Sequence, residues 1–155
     1  MMSATLDGFQ AQIVDAMPKT WDDITGGGSS VMRPLWHVVF PSGEQTVAIL
    51  DVPYEERHRG ALAICLTFAG RVPRPIGLCV TMEAWAADQV RGSKLAPGQR
   101  EDRREIVLAQ FQLEGRPDRL VIWPVERDES GARLGRSEET EPLHSAMLPI
   151  RVCGE

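Results

Sequence analysis

The 155-residue sequence predicts an α+β fold, an antiparallel or mixed sheet with a central apolar helix packed on one face. Three observations lead there. Turn-forming clusters such as "PSGE" and "EGRPD" separate apolar runs by hairpin-length connections, and connections that short demand antiparallel pairing. One long apolar helical pattern, "PYEERHRGALAICLTFAG", stands between strands instead of alternating with each of them. The repeated strand–helix–strand order of a dinucleotide-binding fold is absent.

The elements follow in chain order. Leu6, Phe9, Ile13, Val14 and Met17 recur at helical spacing, with Ser3 as N-cap and Pro18 just beyond the last turn, so the chain begins with an amphipathic helix. "TGGGSS" (25–30) reads as a flexible connection. Its glycines would suit a phosphate-cradling loop, but no Lys-Ser or Lys-Thr pair follows and no helical pattern begins there. "PLWHVVF" and "QTVAIL" flank "PSGE", which predicts a hairpin over 35–50. Trp36, Val38 and Phe40 alternate with Leu35 and Val39, and both sets are apolar. This strand therefore expects cover on both faces, the second from the N-terminal helix or from another subunit.

Asp51 is placed to cap the next helix, with Pro53 in its first turn, Glu55 and Glu56 at the positive end of its dipole and Gly70 at its exit. Tyr54, Ala61, Leu62, Cys65, Phe68 and Ala69 form its stripe, widened by Ile64 and Leu66, which makes it the expected central core helix. Pro73 and Pro75 impose an extended lead-in to the strand "IGLCVTMEAWA". Beyond a long charged connection (87–102), "EIVLAQFQL" and "RLVIWPVE" make a second hairpin, in which Pro124 marks an edge strand or a bulge. Residues 127–141 are charged and broken by glycine, a solvated loop with at most one short strand. "PLHSAMLPIRV" closes the fold as a strand or a short helix. The whole of 1–155 reads as a single domain.

Composition narrows the function classes. Hydrophobic residues at 43% and charged residues at 25% argue against disorder, and a net charge of −5 supplies no general attraction to nucleic acid or anionic membranes. The longest apolar run, "GALAICLTFAG", is about half of a membrane span. "MMSATLDGFQ" lacks the basic start and apolar core of a secretory signal. Cys65, Cys79 and Cys153 show no CxxC spacing; Cys65 and Cys79 lie in apolar stretches and read as buried free thiols. The expectation is a cytoplasmic protein without cofactor or membrane partner.

The informative stretch is "EAWAADQVRGSKLAPGQREDRRE" (83–105). On the strand that leads into it, Cys79, Thr81, Glu83 and Trp85 share one face, and Leu78, Val80, Met82 and Ala84 the other. Antiparallel pairing with the following strand brings Glu83 and Trp85 beside Arg103, Arg104 and Glu105. Arg91, Lys94 and Arg100 lie between, in a connection of a length that is usually functional or disordered. The candidate binding residues are thus Glu83, Trp85, Arg91, Lys94, Asp102, Arg103 and Glu105. In one reading Glu83 merely pairs with Arg103 or Arg104 across the strands while Trp85 covers the end of the sheet. In the other, Glu83, Trp85 and Arg103 line a recess for a ligand.

Two functional expectations follow. The first is a small binding or interaction domain for a protein or a small anionic ligand, able to self-associate through an exposed sheet face or edge. The second is a hydrolase-like enzyme with Glu83 as acid or base and Arg103 stabilising an anion. His37, His58 and His144 stand in no metal-ligand pair; His37 and His58 read as satisfied core histidines, a composite zinc site of His37, His58 and Glu83 being the alternative. No G-x-S-x-G elbow occurs, and the neighbours His144 and Ser145 point apart on a strand. Arg91, Lys94, Arg100, Arg103 and Arg104 with Trp85 would suit a nucleic acid, but Glu101, Asp102 and Glu105 dilute that patch.

An E-A-W at a strand end, a proline-containing loop and then D-R-x-E ("DRRE", 102–105) together resemble a pattern in uncharacterised small bacterial and phage-associated proteins. The resemblance implies no activity. It groups Glu83, Trp85, Asp102, Arg103 and Glu105 in one constellation.

Overall fold

In the computed structural model, which describes residues 2–86, 103–142 and 147–154, one antiparallel sheet is covered by a helix on each face. The order is α1 (Met2–Thr25), β1 (Leu35–Val39), β2 (Gln45–Ile49), a single 3-10 turn (Tyr54–Glu56) leading into α2 (Arg57–Ala69), β3 (Gly77–Ala86), β4 (Arg104–Leu113), β5 (Arg119–Asp128), β6 (Gly131–Leu134) and β7 (Glu138–Thr140). The strands lie in the order β2-β1-β3-β4-β5-β6, with β7 also paired to β5, and every pair is antiparallel. This is an α+β fold. No helix among the described residues is long and apolar enough to cross a membrane.

The two apolar sets on β1 each find a partner layer. Leu35 and Val39 join Leu6, Phe9, Ile13, Met17 and Trp21 of α1, together with Cys79, Val107, Phe111 and Trp123. Trp36, Val38 and Phe40 face the other way, toward Ala61, Cys65 and Phe68 of α2, and toward Met147, Leu148, Val152 and Cys153. The second face of β1 is therefore covered from within the chain, by α1.

α1 runs through Pro18 to Thr25, a correction to the expected stop. Trp21 and Thr25 continue the buried stripe at four-residue steps from Met17. Burial of Trp21 at 0% exposure offsets the amide hydrogen bond that proline cannot make. Ser3 lies inside the helix instead of capping it, and its carbonyl and hydroxyl oxygens both accept from Arg116. At the other end the Thr25 hydroxyl donates to the Trp21 carbonyl and accepts from the Gly28 amide. Gly26, Gly27 and Gly28 all take positive φ, so the glycine run folds into a hydrogen-bonded turn. Its Gly27 carbonyl accepts from the Ala132 amide of β6. A Cβ on Gly28 would lie 2.6 Å from that of Ala132, which explains the absence of any side chain there.

α2 differs from expectation in three ways. It begins at Arg57, and Asp51 does not cap it: the Asp51 carboxylate accepts from Arg33 instead. Pro53 precedes the 3-10 turn. Tyr54, Leu62 and Leu66 of the supposed stripe are exposed, at 73%, 38% and 54%. Three residues of α2 are buried against seven of α1, so α1 carries the larger buried face. The physical reason is that residues 147–154, which form no helix or strand, share the cover of that side of the sheet and leave α2 only a narrow contact.

Both expected hairpins form, β1 with β2 and β4 with β5. The charged segment after Arg127 holds two short strands, β6 and β7, where one at most was expected. Pro124 sits where the outer side of β5 changes partner, from β7 (opposite Leu120, Val121 and Ile122) to β6 (from Val125 onward). A residue without an amide hydrogen fits that gap in the ladder. The connection 87–102, and His144 with Ser145, lie outside the described residues.

Candidate functional site

The β3–β4 register sets Glu83 opposite Val107, Trp85 opposite Glu105 and Ala86 opposite Arg104. Arg103 follows directly, and its guanidinium lies 5.0 Å from the centroid of the Trp85 ring. Trp85 and Arg103 are thus brought together as the strand pairing required. Arg91, Lys94 and Asp102 lie outside the described residues.

Around this pair the side chains of the α1 face form a row across three strands. Glu105, opposite Trp85, accepts through Oε2 from Arg127 Nε on β5 at 2.7 Å. Arg127 Nη1 also donates to the Gly28 carbonyl at 3.4 Å, connecting the row to the glycine turn after α1. Arg104 belongs to the other face by strand alternation, and there it meets Glu138 at 3.5 Å. It is therefore not the cross-strand partner of Glu83.

Glu83 has a different partner. Its Oε1 accepts from the indole Nε1–H of Trp21 at 2.8 Å, linking β3 to the last turns of α1. An indole N–H buried at the helix–sheet junction requires such an acceptor. Neither Trp21 nor Arg127 belonged to the expected constellation. For Trp21 a signal existed, since it stands four residues past Met17 on the same helical stripe. Arg127 gave none, being one charge within an apparently solvated stretch.

The histidines do not converge on Glu83. His37 is half-buried on β1 with Nε2 3.3 Å from the Thr81 hydroxyl, and burial holds its pKa below the usual imidazole range. It stands opposite Cys79, four residues before Glu83, or about 13 Å away along the strand. His58, expected as a core histidine beside the buried stripe, is instead exposed on α2, on the far side of the sheet. Among the described residues no three His, Cys, Asp or Glu side chains approach closely enough to hold a metal ion. Burial also pushes up all three thiols, Cys65 to about 11, Cys153 to about 12, and Cys79 well above the ordinary value, so none is primed as a nucleophile.

An open recess of about 450 Å³ lies toward the opposite end of α1, lined by Asp7, Gln10, Asp15, Arg116 and Arg119 among others. Its arginines are engaged: Arg116 with Asp7 at 2.7 Å, Arg119 with Glu139 at 2.6 Å and Gln10 at 3.1 Å. The Trp85 end of the sheet differs in kind, because a large aromatic surface there stays in contact with solvent. Comparison with protein-family models, with curated proteins and with solved structures finds no match for this chain.

Proposed function

We propose that this is a binding domain whose working surface is the outer end of β3 and β4, with Trp85 and Arg103 anchoring a protein partner. The observation that carries the reading is the contrast among the four tryptophans. Trp21, Trp36 and Trp123 are at most 2% exposed, whereas Trp85 is 46% exposed with a guanidinium stacked over its ring. Leaving an indole in water forgoes about 2 kcal/mol of burial. Tryptophan and arginine are also the residue types that most often dominate protein–protein binding energy. The stacked arginine restricts the ring before any partner arrives, and the Glu105–Arg127 pair holds the base of the surface.

A hydrolase reading would need Glu83 as a group open to substrate. Its hydrogen bond from the buried Trp21 indole and its distance from His37 favour a structural role instead. Three buried free thiols fit a reducing compartment such as the cytoplasm.

The test is site-specific. A photo-crosslinking amino acid at position 85, introduced in the protein's own host, should capture a discrete partner. With that partner purified, Trp85→Ala and Arg103→Ala should each weaken binding by at least about tenfold, with a melting temperature within about 4 °C of wild type. Partner affinity indifferent to both substitutions would refute the proposal. A partner found to be nucleic acid, recognised by a steep fall of affinity with salt, would replace the protein partner named here.

A further inference from the structure

We propose that β2 is a docking edge for a second copy of this chain, joining the two sheets across a two-fold axis at Val47. The inference is independent of the Trp85 surface, which lies at the end of β3.

Among the described residues β2 terminates the strand order, and β1 is its neighbour. The Leu50 amide donates to the Pro34 carbonyl at 3.1 Å and the Phe40 amide to the Glu44 carbonyl at 2.9 Å, so the even-numbered residues of this arm bond inward to β1. By the alternation of an antiparallel ladder, the backbone N–H and C=O groups of Gln45, Val47 and Ile49 point outward from the sheet. Val47 and Ile49 are also 53% and 60% exposed. The strand, Gln-Thr-Val-Ala-Ile, contains none of the charges, prolines or bulges that normally protect a sheet edge. The opposite edge is built differently. On β6, Arg133 pairs with Glu126 and Asp128 and spreads charge along that side.

A second copy matches this edge without further requirement. Antiparallel pairing about Val47 sets Val47 opposite Val47 and Gln45 opposite Ile49, and the outward groups of those three residues meet in register. About six main-chain hydrogen bonds result. The Gln45 side chain is held against Gln12 of α1, on the α1 face of the sheet. Although the chain carries a net charge of −5, the strand is neutral. In this register Glu44 of each copy also faces the Leu50–Asp51 end of the other, where Arg33 is paired with Asp51. An unrelated extended peptide would need its own complement to this pattern. A pairing this short buries less than the roughly 1,200–2,000 Å² of a stable dimer, so the association is weak and depends on concentration.

Sedimentation of the full chain from low micromolar to millimolar concentration should show a monomer–dimer equilibrium. Val47→Lys should shift it to monomer with a melting temperature close to that of the dilute wild-type chain. Val47→Pro removes only an outward-pointing amide hydrogen and should act alike. Should the proline variant fold poorly, the lysine variant carries the test. In a Val47→Cys variant, a short bis-maleimide should link position 47 to its own copy, while the native buried thiols stay unreactive. A wild-type chain that remains monomeric at millimolar concentration overturns the proposal, and so does a dimer that survives Val47→Lys.

Discussion

The indole N–H of Trp21 meets Oε1 of Glu83 at 2.8 Å across 62 residues of sequence, tying the C-terminal part of α1 to the outer half of β3. The acceptor is a carboxylate that, by position on its strand, could equally have faced a ligand. With Trp21 at 0% exposure, loss of the acceptor leaves a buried donor unpartnered. Glu83→Ala should therefore cost about 1–3 kcal/mol, and Glu83→Gln, which keeps a carbonyl acceptor, less than about 1 kcal/mol. Urea denaturation of both variants checks this. Equal stability of Glu83→Ala and wild type would remove the structural role assigned to the bond.

Trp85 should behave in the opposite way from Trp21. Trp85→Ala is expected to lose about 1 kcal/mol or less, because the residue is already 46% exposed, while Trp21→Ala empties a core site and should lose about 3–5 kcal/mol. In the folded wild type, acrylamide should quench a single exposed tryptophan component, and that component should vanish in Trp85→Ala.

His37 makes stability depend on pH. Burial lowers its folded pKa below the ordinary imidazole value of 6.5, so the unfolded chain binds the proton more readily than the folded one. The contribution is fully present above pH 6.5 and is lost as pH falls through the depressed folded value. Unfolding free energies measured at about pH 7.5 and about pH 5 should differ by more in wild type than in His37→Gln. A proton-resonance titration of the imidazole should give a midpoint below that of a free histidine.

The thiols provide a probe of global opening. Cys65, Cys79 and Cys153 are buried and their pKa values are raised, so a disulfide reagent at about pH 8 should not react with the native protein within minutes and should modify all three after denaturation. Rapid reaction of any one of them under native conditions would contradict the packing described for it.

Two glycines separate backbone strain from close approach. Gly28 and Gly43 have nearly the same φ, 89° and 90°. A Cβ at Gly43 meets open space, so Gly43→Ala should cost about 1–2 kcal/mol for the left-handed conformation alone. A Cβ at Gly28 would also clash with Ala132, and its cost should exceed that of Gly43→Ala by a further 1 kcal/mol or more, on the order of an overpacked contact. Thermal unfolding of the two variants makes the comparison.

Strands β1 to β5, the faces of β1 and β3 and the meeting of Trp85 with Arg103 were determined by the sequence itself. Alternation with period two and short turns are local properties, and an antiparallel hairpin converts them directly into contacts. Tertiary structure alone decided that α1 passes through Pro18, that Glu83 answers Trp21 and that Arg127 closes on Glu105. It also decided that residues 147–154 share the cover of one face, which leaves α2 with a narrow buried stripe. Those outcomes depend on burial and hydrogen bonding between segments far apart in the chain, where the energy of packing exceeds local preferences such as the helix-breaking tendency of proline. Spacing along the chain carries no record of that balance.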